Sequence, residues 1–114
     1  MSRKRSIGTN LTNTTKVTAY TVPTGITADW TLLYIVNTGS NNTISVFWYD
    51  SSTNTEFYII GGKNLGTGEF LLFNGAEIVL QAGDQIRYQL GSSGAMTVVS
   101  TVEITSPIGL NGGA

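Results

Sequence analysis

The spacing of apolar residues constrains the fold of this chain more than any other feature, because no stretch follows a sustained helical period. From Lys16 onward, short apolar runs are separated by glycine, asparagine, serine and aspartate. Apolar and polar residues alternate most cleanly over 85–90 and 96–104, as they do in a strand with one buried face. Alternating runs bounded by turn residues are typical of a β-sandwich or barrel. The sequence therefore predicts an all-β fold.

The runs define about eight strands, which suit a single antiparallel β-sandwich with a jelly-roll-like layout. The segments 30–37 and 43–50 are predicted to pair as a hairpin, because a short loop rich in asparagine and glycine separates them. The four glycines of 61–68 predict a wide turn. The predicted strands are 16–22, 30–37, 43–50, 56–60, 69–73, 77–80, 85–90 and 96–105.

The pattern divides the chain into three segments. Residues 1–15 are polar and lack periodicity, so they predict an extended N-terminal arm. The strand pattern fills 16–106, which we interpret as one β-sandwich. Pro107 ends the last strand because proline cannot donate a hydrogen bond to a ladder. Residues 107–114 are expected to form a flexible C-terminal tail.

Basic charge is concentrated in the predicted arm. Arg3, Lys4 and Arg5 are half of the six basic residues, and the rest of the chain has three basic against seven acidic residues, a balance of −4. The arm is therefore a candidate for docking on an acidic protein surface. Three charges are too few to predict nucleic-acid binding. The apolar runs are too short to span a membrane, and no apolar signal-peptide core follows the basic start.

The chain lacks histidine and cysteine, which removes the commonest general base near neutral pH and the thiolate nucleophile. Two carboxylate pairs, Glu69 with Glu77 and Asp50 with Glu56, have no feature that marks them as buried together. The loop 50–54 holds oxygen ligands but one carboxylate, so it predicts an Asx turn rather than a calcium site. We therefore predict no enzymatic activity, no catalytic residue, no metal site and no cofactor.

Several strands carry apolar residues on both faces, namely 30–36, 46–49 and 57–60. In a sandwich one face of each strand packs inward and the other meets water. The second apolar face therefore needs cover from another part of the chain or from a partner, and tryptophan and tyrosine are favoured at interfaces. With the basic arm, the candidate interface residues are Arg3, Lys4, Arg5, Trp30, Tyr34, Phe47, Trp48, Tyr49, Phe57 and Tyr58.

Two motifs carry a resemblance to a known group of proteins. The stretch 19–25 (AYTVPTG) leads into a strand that ends at 37–39 (NTG), and 77–86 (EIVLQAGDQI) contains a Gly-Asp turn. Over most of 17–105 this layout resembles the small β-sandwich virion proteins of tailed bacteriophages. The Gly-Asp turn also resembles one in trimeric jelly rolls of the tumour-necrosis-factor type. The resemblance supplies no catalytic residues.

The resemblance implies a structural protein of the virion, namely a capsid decoration or cement protein on the capsid surface. Its expected partners are copies of itself, as a homotrimer, and the major capsid protein. A tail, neck or fibre component of the same class of particle is the alternative. A carbohydrate-binding module that uses Trp30 or Trp48 is an alternative of a different class. Deleting residues 2–13 is expected to leave the sandwich folded but to weaken docking.

Overall fold

The computed structural model describes residues 2–106, apart from the side chains of 75–77. Every regular element in this range is a β-strand, so no helix there is long and apolar enough to cross a membrane. The predicted tail over 107–114 lies outside the described residues. The strands are β1 (Ser2–Leu11), β2 (Val17–Thr21), β3 (Thr27–Asn37), β4 (Asn42–Asp50), β5 (Thr55–Leu65), β6 (Phe70–Leu80), β7 (Gln85–Leu90) and β8 (Met96–Thr105).

The eight strands form two four-stranded sheets. Sheet A has the order β1-β8-β3-β6 and sheet B has the order β2-β7-β4-β5, and every paired neighbour is antiparallel. Most connections carry the chain from one sheet to the other, which is the jelly-roll arrangement. The predicted all-β antiparallel sandwich is confirmed. The edge strands are β1 and β6 in sheet A, and β2 and β5 in sheet B.

The predicted hairpin between 30–37 and 43–50 is wrong, because β3 and β4 lie in different sheets. The connecting loop crosses the end of the sandwich, where the backbone N–H groups of Thr38 and Gly39 both donate to the carbonyl of Ala95, at 3.0 and 3.1 Å. The crossing allows both strands to bury a face in the common core. β4 forms its hairpin with β5 instead.

Most of the predicted extended arm over 1–15 forms a regular strand in the structure. Ser2–Leu11 forms β1, which pairs with β8 from Ser2 opposite Thr105 to Leu11 opposite Met96. The strand is mostly exposed because it lies at an edge, and its main buried anchor is Leu11, which is 1% exposed. An edge strand with one anchored end needs little apolar sequence, so periodicity gave no signal for it.

β5 and β6 are both longer than the sequence predicts. β5 continues through Gly61 and Gly62 to Leu65, and its register with β4 shifts across these two glycines. Gly62 has a φ of 66°, and its N–H donates to Ser45 Oγ at 2.9 Å. These glycines therefore form a β-bulge in an edge strand rather than a wide turn. β6 joins the two predicted strands 69–73 and 77–80 into one.

An irregularity in β3 changes which residues share a face. The register of β3 against both neighbouring strands shifts between Trp30 and Leu32. The alternation therefore changes phase, and Trp30 faces the core together with Leu33, whereas Leu32 and Tyr34 lie on the outer surface of sheet A. Simple alternation had placed Trp30 on the same face as Leu32 and Tyr34.

The core fills the space between the sheets and includes one polar link across it. The hydroxyl groups of Tyr88 in sheet B and Ser100 in sheet A are hydrogen-bonded. Burial raises the pKa of Tyr88 to about 12, although the bond to Ser100 opposes the shift. The largest fully buried side chains are Tyr88, Phe47, Leu11, Ile35, Ile44, Leu80, Ile86, Met96, Val22, Val46, Val98 and Val102.

Tyr88 makes the stability of the fold sensitive to alkaline pH. In the unfolded chain tyrosine ionises near the ordinary pKa of 10.0, whereas Tyr88 in the folded chain stays neutral until about pH 12. The free energy of unfolding is expected to fall by up to about 1.4 kcal/mol per pH unit across this window. Urea unfolding at pH 9, 10 and 11 measures the loss, and Tyr88→Phe should show a shallower decline. Parallel declines in the two proteins would contradict the assignment to Tyr88.

Candidate interaction surfaces

The three basic candidates lie on β1, on the side of the sandwich where β1 and β2 form the edges. The Arg5 guanidinium lies 5.9 Å from the ring centroid of Tyr20 on β2. Burial raises the pKa of Tyr20, and the positive charges of Arg5 and Arg3 partly oppose that increase. Lys4 lies opposite Glu103 in the ladder, on the outer surface of sheet A. The basic residues therefore form part of an ordered, exposed edge strand.

Phe47 is covered by the chain itself. Phe47 lies opposite Arg87 in the ladder and outside the cluster between the sheets, but it is only 1% exposed. The ring of Tyr58 on β5 packs against it at a centroid distance of 4.7 Å, and Lys16 Nζ lies 4.3 Å from its centroid. Other side chains of the same chain therefore cover the outward-facing ring of Phe47. Tyr58 itself remains 68% exposed.

Charged side chains hold this outer cluster of sheet B together. Glu56 accepts hydrogen bonds from Lys16 Nζ at 2.7 Å and from Arg87 Nη1 at 3.0 Å. Although burial alone would raise the pKa of Glu56, these two cations outweigh it, so the pKa is lowered. Arg87 also lies over the ring of Tyr49, 4.1 Å from its centroid. Tyr49 is thus half-buried beneath a paired cation, which reduces its availability to a partner.

Trp48 is tied to the Gly-Asp turn that the sequence singled out. Its ring stacks on Phe57 at a centroid distance of 5.2 Å, and its Nε1 donates to Asp84 Oδ2 at 3.2 Å. Asp84 is 1% exposed and also accepts hydrogen bonds from the N–H of Gln81 at 3.0 Å and of Ser51 at 2.9 Å. The motif is therefore a buried structural clamp between the β4–β5 and β6–β7 connections.

The glycine of this motif is required by the clamp. Gly83 has a φ of 89°, in the left-handed region that favours glycine. A Cβ there would lie 2.8 Å from Ser51 Oγ, the hydroxyl group that donates to Asp84 Oδ1. A side chain at Gly83 would therefore displace part of the hydrogen-bond set that satisfies Asp84.

The remaining carboxylates lie at turns or on the strands of sheet A, where Asp29 and Glu103 are opposite each other in the ladder. Asp50 Oδ1 accepts hydrogen bonds from the N–H and the hydroxyl of Ser52, which lower the pKa of Asp50 and confirm the predicted Asx turn. Glu69 accepts from the N–H of Gly66 at 2.6 Å. Glu77 has no described side chain. Among the described residues no group of three or more histidine, cysteine, aspartate or glutamate side chains is arranged to hold a metal ion.

The exposed apolar surface lies on two strands. Within residues 2–106, every large apolar side chain that is well exposed belongs to β5 or β6, the edge strands on one side of the sandwich. Sequence reasoning identified two of these residues and missed five. For Phe70, Leu72 and Phe73 the sequence did contain a signal, because the run EFLLF over 69–73 is apolar on both faces. The residues and their exposed fractions are Phe57 43%, Tyr58 68%, Ile59 38%, Phe70 59%, Leu72 50%, Phe73 48% and Val79 49%.

Three of these side chains lie on the outer surface of sheet A and form, with Tyr34, what we call the apolar face. Tyr34 lies opposite Leu72 in the ladder and contacts Phe70 at a ring-centroid distance of 5.9 Å. Val79 is further along β6, opposite Asp29. Exposed apolar patches often mark interaction sites, so the apolar face is a candidate contact surface.

A second feature, which we call the slot, opens between the edges formed by β5 and β6. It is an apolar cavity of about 200 Å³. Trp30 lines it, and the Nε1 of this residue is buried with no acceptor among the described residues. The complete lining is Trp30, Thr31, Leu32, Leu33, Ile59, Ile60, Phe73 and Ile78.

Solved structures share the fold of this chain, although the sequence has no recognisable relative in the other two comparisons. No protein-family model and no curated protein matches the sequence. A chain from the acid-stable capsid of Helicobacter pylori bacteriophage KHP30 is similar, with a TM-score of 0.59 and 12% identity over 93% of this chain and 94% of that one. A chain from the disulfide-linked pili of Bacillus endospore appendages gives 0.53 and 15% over 92% and 88%. At these identities the likeness establishes the shared β-sandwich fold.

Proposed function

We propose that the chain is a non-enzymatic structural subunit of a phage particle, and specifically a capsid decoration protein. In this role it binds the major capsid protein of the assembled shell through the apolar face and associates with copies of itself, with a trimer as the expected state. The observation that carries the proposal is the confinement of exposed apolar side chains to one side of the sandwich. The resemblance to tailed-phage virion proteins and the likeness to a phage capsid chain support the choice of particle.

The apolar face suits a flat partner surface. Leu72, Phe70 and Val79 are each about half exposed, and the ladder neighbours of Leu72 across sheet A are Tyr34 and Val99, which carry no charge. A shell that covers this face removes apolar area from water at roughly 25 cal/mol per Å². A subunit that binds only the assembled shell stabilises it by mass action.

The carbohydrate-binding alternative finds less support in the geometry. Trp30 is 4% exposed and lies in the core. Trp48 is half-buried, with its ring stacked on Phe57 and its N–H bonded to Asp84. The Trp30 ring is therefore closed to a sugar, and one face of the Trp48 ring is occupied by Phe57.

The proposal is tested with shells that lack the protein. Phe70→Glu adds a charge to the apolar face and is expected to weaken shell binding about 10- to 100-fold, because an aromatic contact of about 1.5–3 kcal/mol is replaced by a desolvated carboxylate. Thr21→Glu, on the opposite edge strand β2, adds the same charge and should bind normally. Co-sedimentation with shells measures both proteins.

Thermal rupture of the same shells tests the decoration role itself. Wild-type protein is expected to raise the rupture temperature, and Phe70→Glu should not. Equal rupture temperatures with and without the wild-type protein would remove the decoration role. Labelled protein found at the tail, neck or fibres of purified particles would favour the alternative location. Equal binding by Phe70→Glu and Thr21→Glu would remove the apolar face as the contact.

A further inference from the structure

The four edge strands of the sandwich differ in the regularity of their ladders. The pairings of β2 with β7, of β5 with β4 and of β6 with β3 each contain a shift in register. β1, in contrast, follows β8 without a shift over all ten of its residues, and it contains no proline. Bulges, prolines and short length are common ways in which proteins block an edge. Among the edges of the two described sheets, β1 alone therefore presents an unbroken row of outward backbone groups to a further strand.

Three consecutive basic side chains flank the beginning of this edge on both faces. Arg3 and Arg5 lie opposite the buried residues Ile104 and Val102, so they are on the face directed towards sheet B. Lys4, between them, is on the outer surface of sheet A. All three side chains are exposed. A strand placed beside β1 would therefore meet positive charge on both of its faces.

These charges are not neutralised within the part of the chain that the structure describes. The ion pairs there are formed by Glu56, with Lys16 and with Arg87. Glu103 is the ladder neighbour of Lys4, but the two side chains form no ion pair within residues 2–106. An incoming strand with acidic side chains would supply partners for three adjacent cations.

We propose that β1 binds an extended, acidic segment of a partner protein, which adds to sheet A as a fifth strand. The segment runs antiparallel to β1, as neighbouring strands do throughout both sheets. Its acidic residues lie opposite Arg3, Lys4 and Arg5, and therefore come at its C-terminal end. The residues before them are alternately apolar, because Ile7 and Thr9 are half-buried on the face directed towards sheet B. Main-chain hydrogen bonds supply affinity, and the charges supply specificity.

A second copy of β1 matches this edge less well than an acidic segment does. Two β1 strands paired antiparallel over their full length would place the three cations of each opposite Gly8, Thr9 and Asn10 of the other. Those residues carry no charge, so the cations would stay without partners. A parallel pair in register would bring like charges directly opposite each other, which is destabilising. Charge complementarity therefore favours the acidic segment as the occupant.

Two peptides of the same length as β1 test the chemistry of the partner. Acetylated and amidated STTVTVTEDE places its acidic residues opposite the three cations, whereas STTVTVTQNQ has the same shape without charge. The acidic peptide is expected to bind about 10-fold more tightly at low salt, as three exposed ion pairs predict, and the difference should shrink at high salt. Fluorescence anisotropy of the labelled peptides measures the affinities. Equal affinities, or no binding of either peptide, would overturn the acidic partner.

The triple substitution of Arg3, Lys4 and Arg5 by glutamine is the matched variant of the protein. It keeps the backbone of β1 and should bind the two peptides equally. The peptide EDESTTVTVT carries its acidic residues at the other end, where an antiparallel ladder places them beside Asn10. It should therefore bind the wild-type chain more weakly than STTVTVTEDE. Equal binding of these two peptides would overturn the proposed register.

Backbone measurements test whether the peptide adds as a strand. The bound acidic peptide is expected to slow hydrogen exchange at alternate amides of β1 and to leave β2, β5 and β6 unchanged. In an antiparallel ladder every second residue directs its N–H to a given neighbour. Methylating one alternate set of peptide nitrogens should therefore abolish binding, and methylating the other set should preserve most of it. Equal effects of the two sets, or protection at another edge, would overturn strand addition at β1.

Two further measurements separate this proposal from the proposed function and from self-association. Phe70→Glu lies on β6, at the opposite edge of sheet A, and should bind the acidic peptide as the wild-type chain does even where shell binding is lost. The two proposals therefore fail separately. Without peptide, exchange at the β1 amides should not depend on protein concentration. Protection that rises with concentration would show that a second copy occupies the edge, and would overturn the acidic partner.

Discussion

Replacing Asp84 by alanine is expected to lower the free energy of unfolding by about 3–5 kcal/mol, because several buried donors lose their acceptor at about 1–3 kcal/mol each. Asp84 is 1% exposed and accepts from the backbone of Gln81 and Ser51 and from the indole of Trp48. These donors belong to two separate connections at one end of the sandwich. In Asp84→Ala these N–H donors would have no acceptor, and the site is too buried for water to replace the carboxylate.

Asp84→Asn sharpens the test because it keeps the shape and removes one acceptor. An amide can accept on the Ser51 side or on the Trp48 side, but not on both, so an intermediate loss is expected. Asp50→Ala, in the exposed Asx turn, is the matched control and should lose only a small fraction of that amount. Urea unfolding measures all three proteins. If Asp84→Ala and Asp50→Ala lost equal stability, the buried clamp would not be important for folding.

The sequence predicted most accurately the strands whose two faces differ most in burial. β7 and β8 alternate between buried and half-buried residues along their whole length, and their predicted limits agree with the structure. β1 was missed because an exposed edge strand needs few apolar residues. Its pairing with β8 is carried by backbone groups, which every residue supplies equally. Periodicity detects burial, and it therefore detects strands only where they are buried on one side.

The candidate contact residues were harder to predict, because burial of an aromatic ring depends on the neighbouring strands. Phe47 has an apolar residue on each side in the sequence, yet Tyr58 and Lys16 cover it. Trp30 enters the core because the register of β3 shifts next to it. Neither the cover nor the shift has a local sequence signal. The structure accordingly distributes the predicted aromatic residues over the core, the outer cluster of sheet B and the apolar face.

Exposure at a sheet edge distinguishes the proposed contact surface better than residue type does. Leu72 and Val79 are not residues that stand out in a sequence, but each is about half exposed on an edge strand. The opposite edge strand β1 carries Arg3, Lys4 and Arg5, and charged edges resist unwanted pairing between sheets. The two sides of the sandwich therefore differ: β1 carries the three basic residues, whereas β5 and β6 carry the exposed large apolar side chains of the described residues.

Deleting residues 2–11 is expected to unfold the domain, in contrast to the sequence-based expectation that a docking arm can be removed without loss of the fold. The deletion removes an entire strand of sheet A, together with the buried Leu11, and exposes the β8 edge beside Met96 and Val98. Domains of this size are stable by about 5–15 kcal/mol, which the loss of one strand in eight can exceed. Circular dichroism and thermal unfolding measure the effect.

A triple substitution of Arg3, Lys4 and Arg5 by glutamine is the matched control, because it removes the charges and keeps the backbone ladder. This variant should fold with a similar unfolding temperature. A synthetic peptide of residues 2–11 added to the truncated chain should restore the strand signal, since the β8 edge offers the same ladder partners. A truncated chain that unfolds at the temperature of the full chain would mean that β1 contributes no stability. In that case the basic segment would be free to leave β8 and dock elsewhere, as the sequence first indicated.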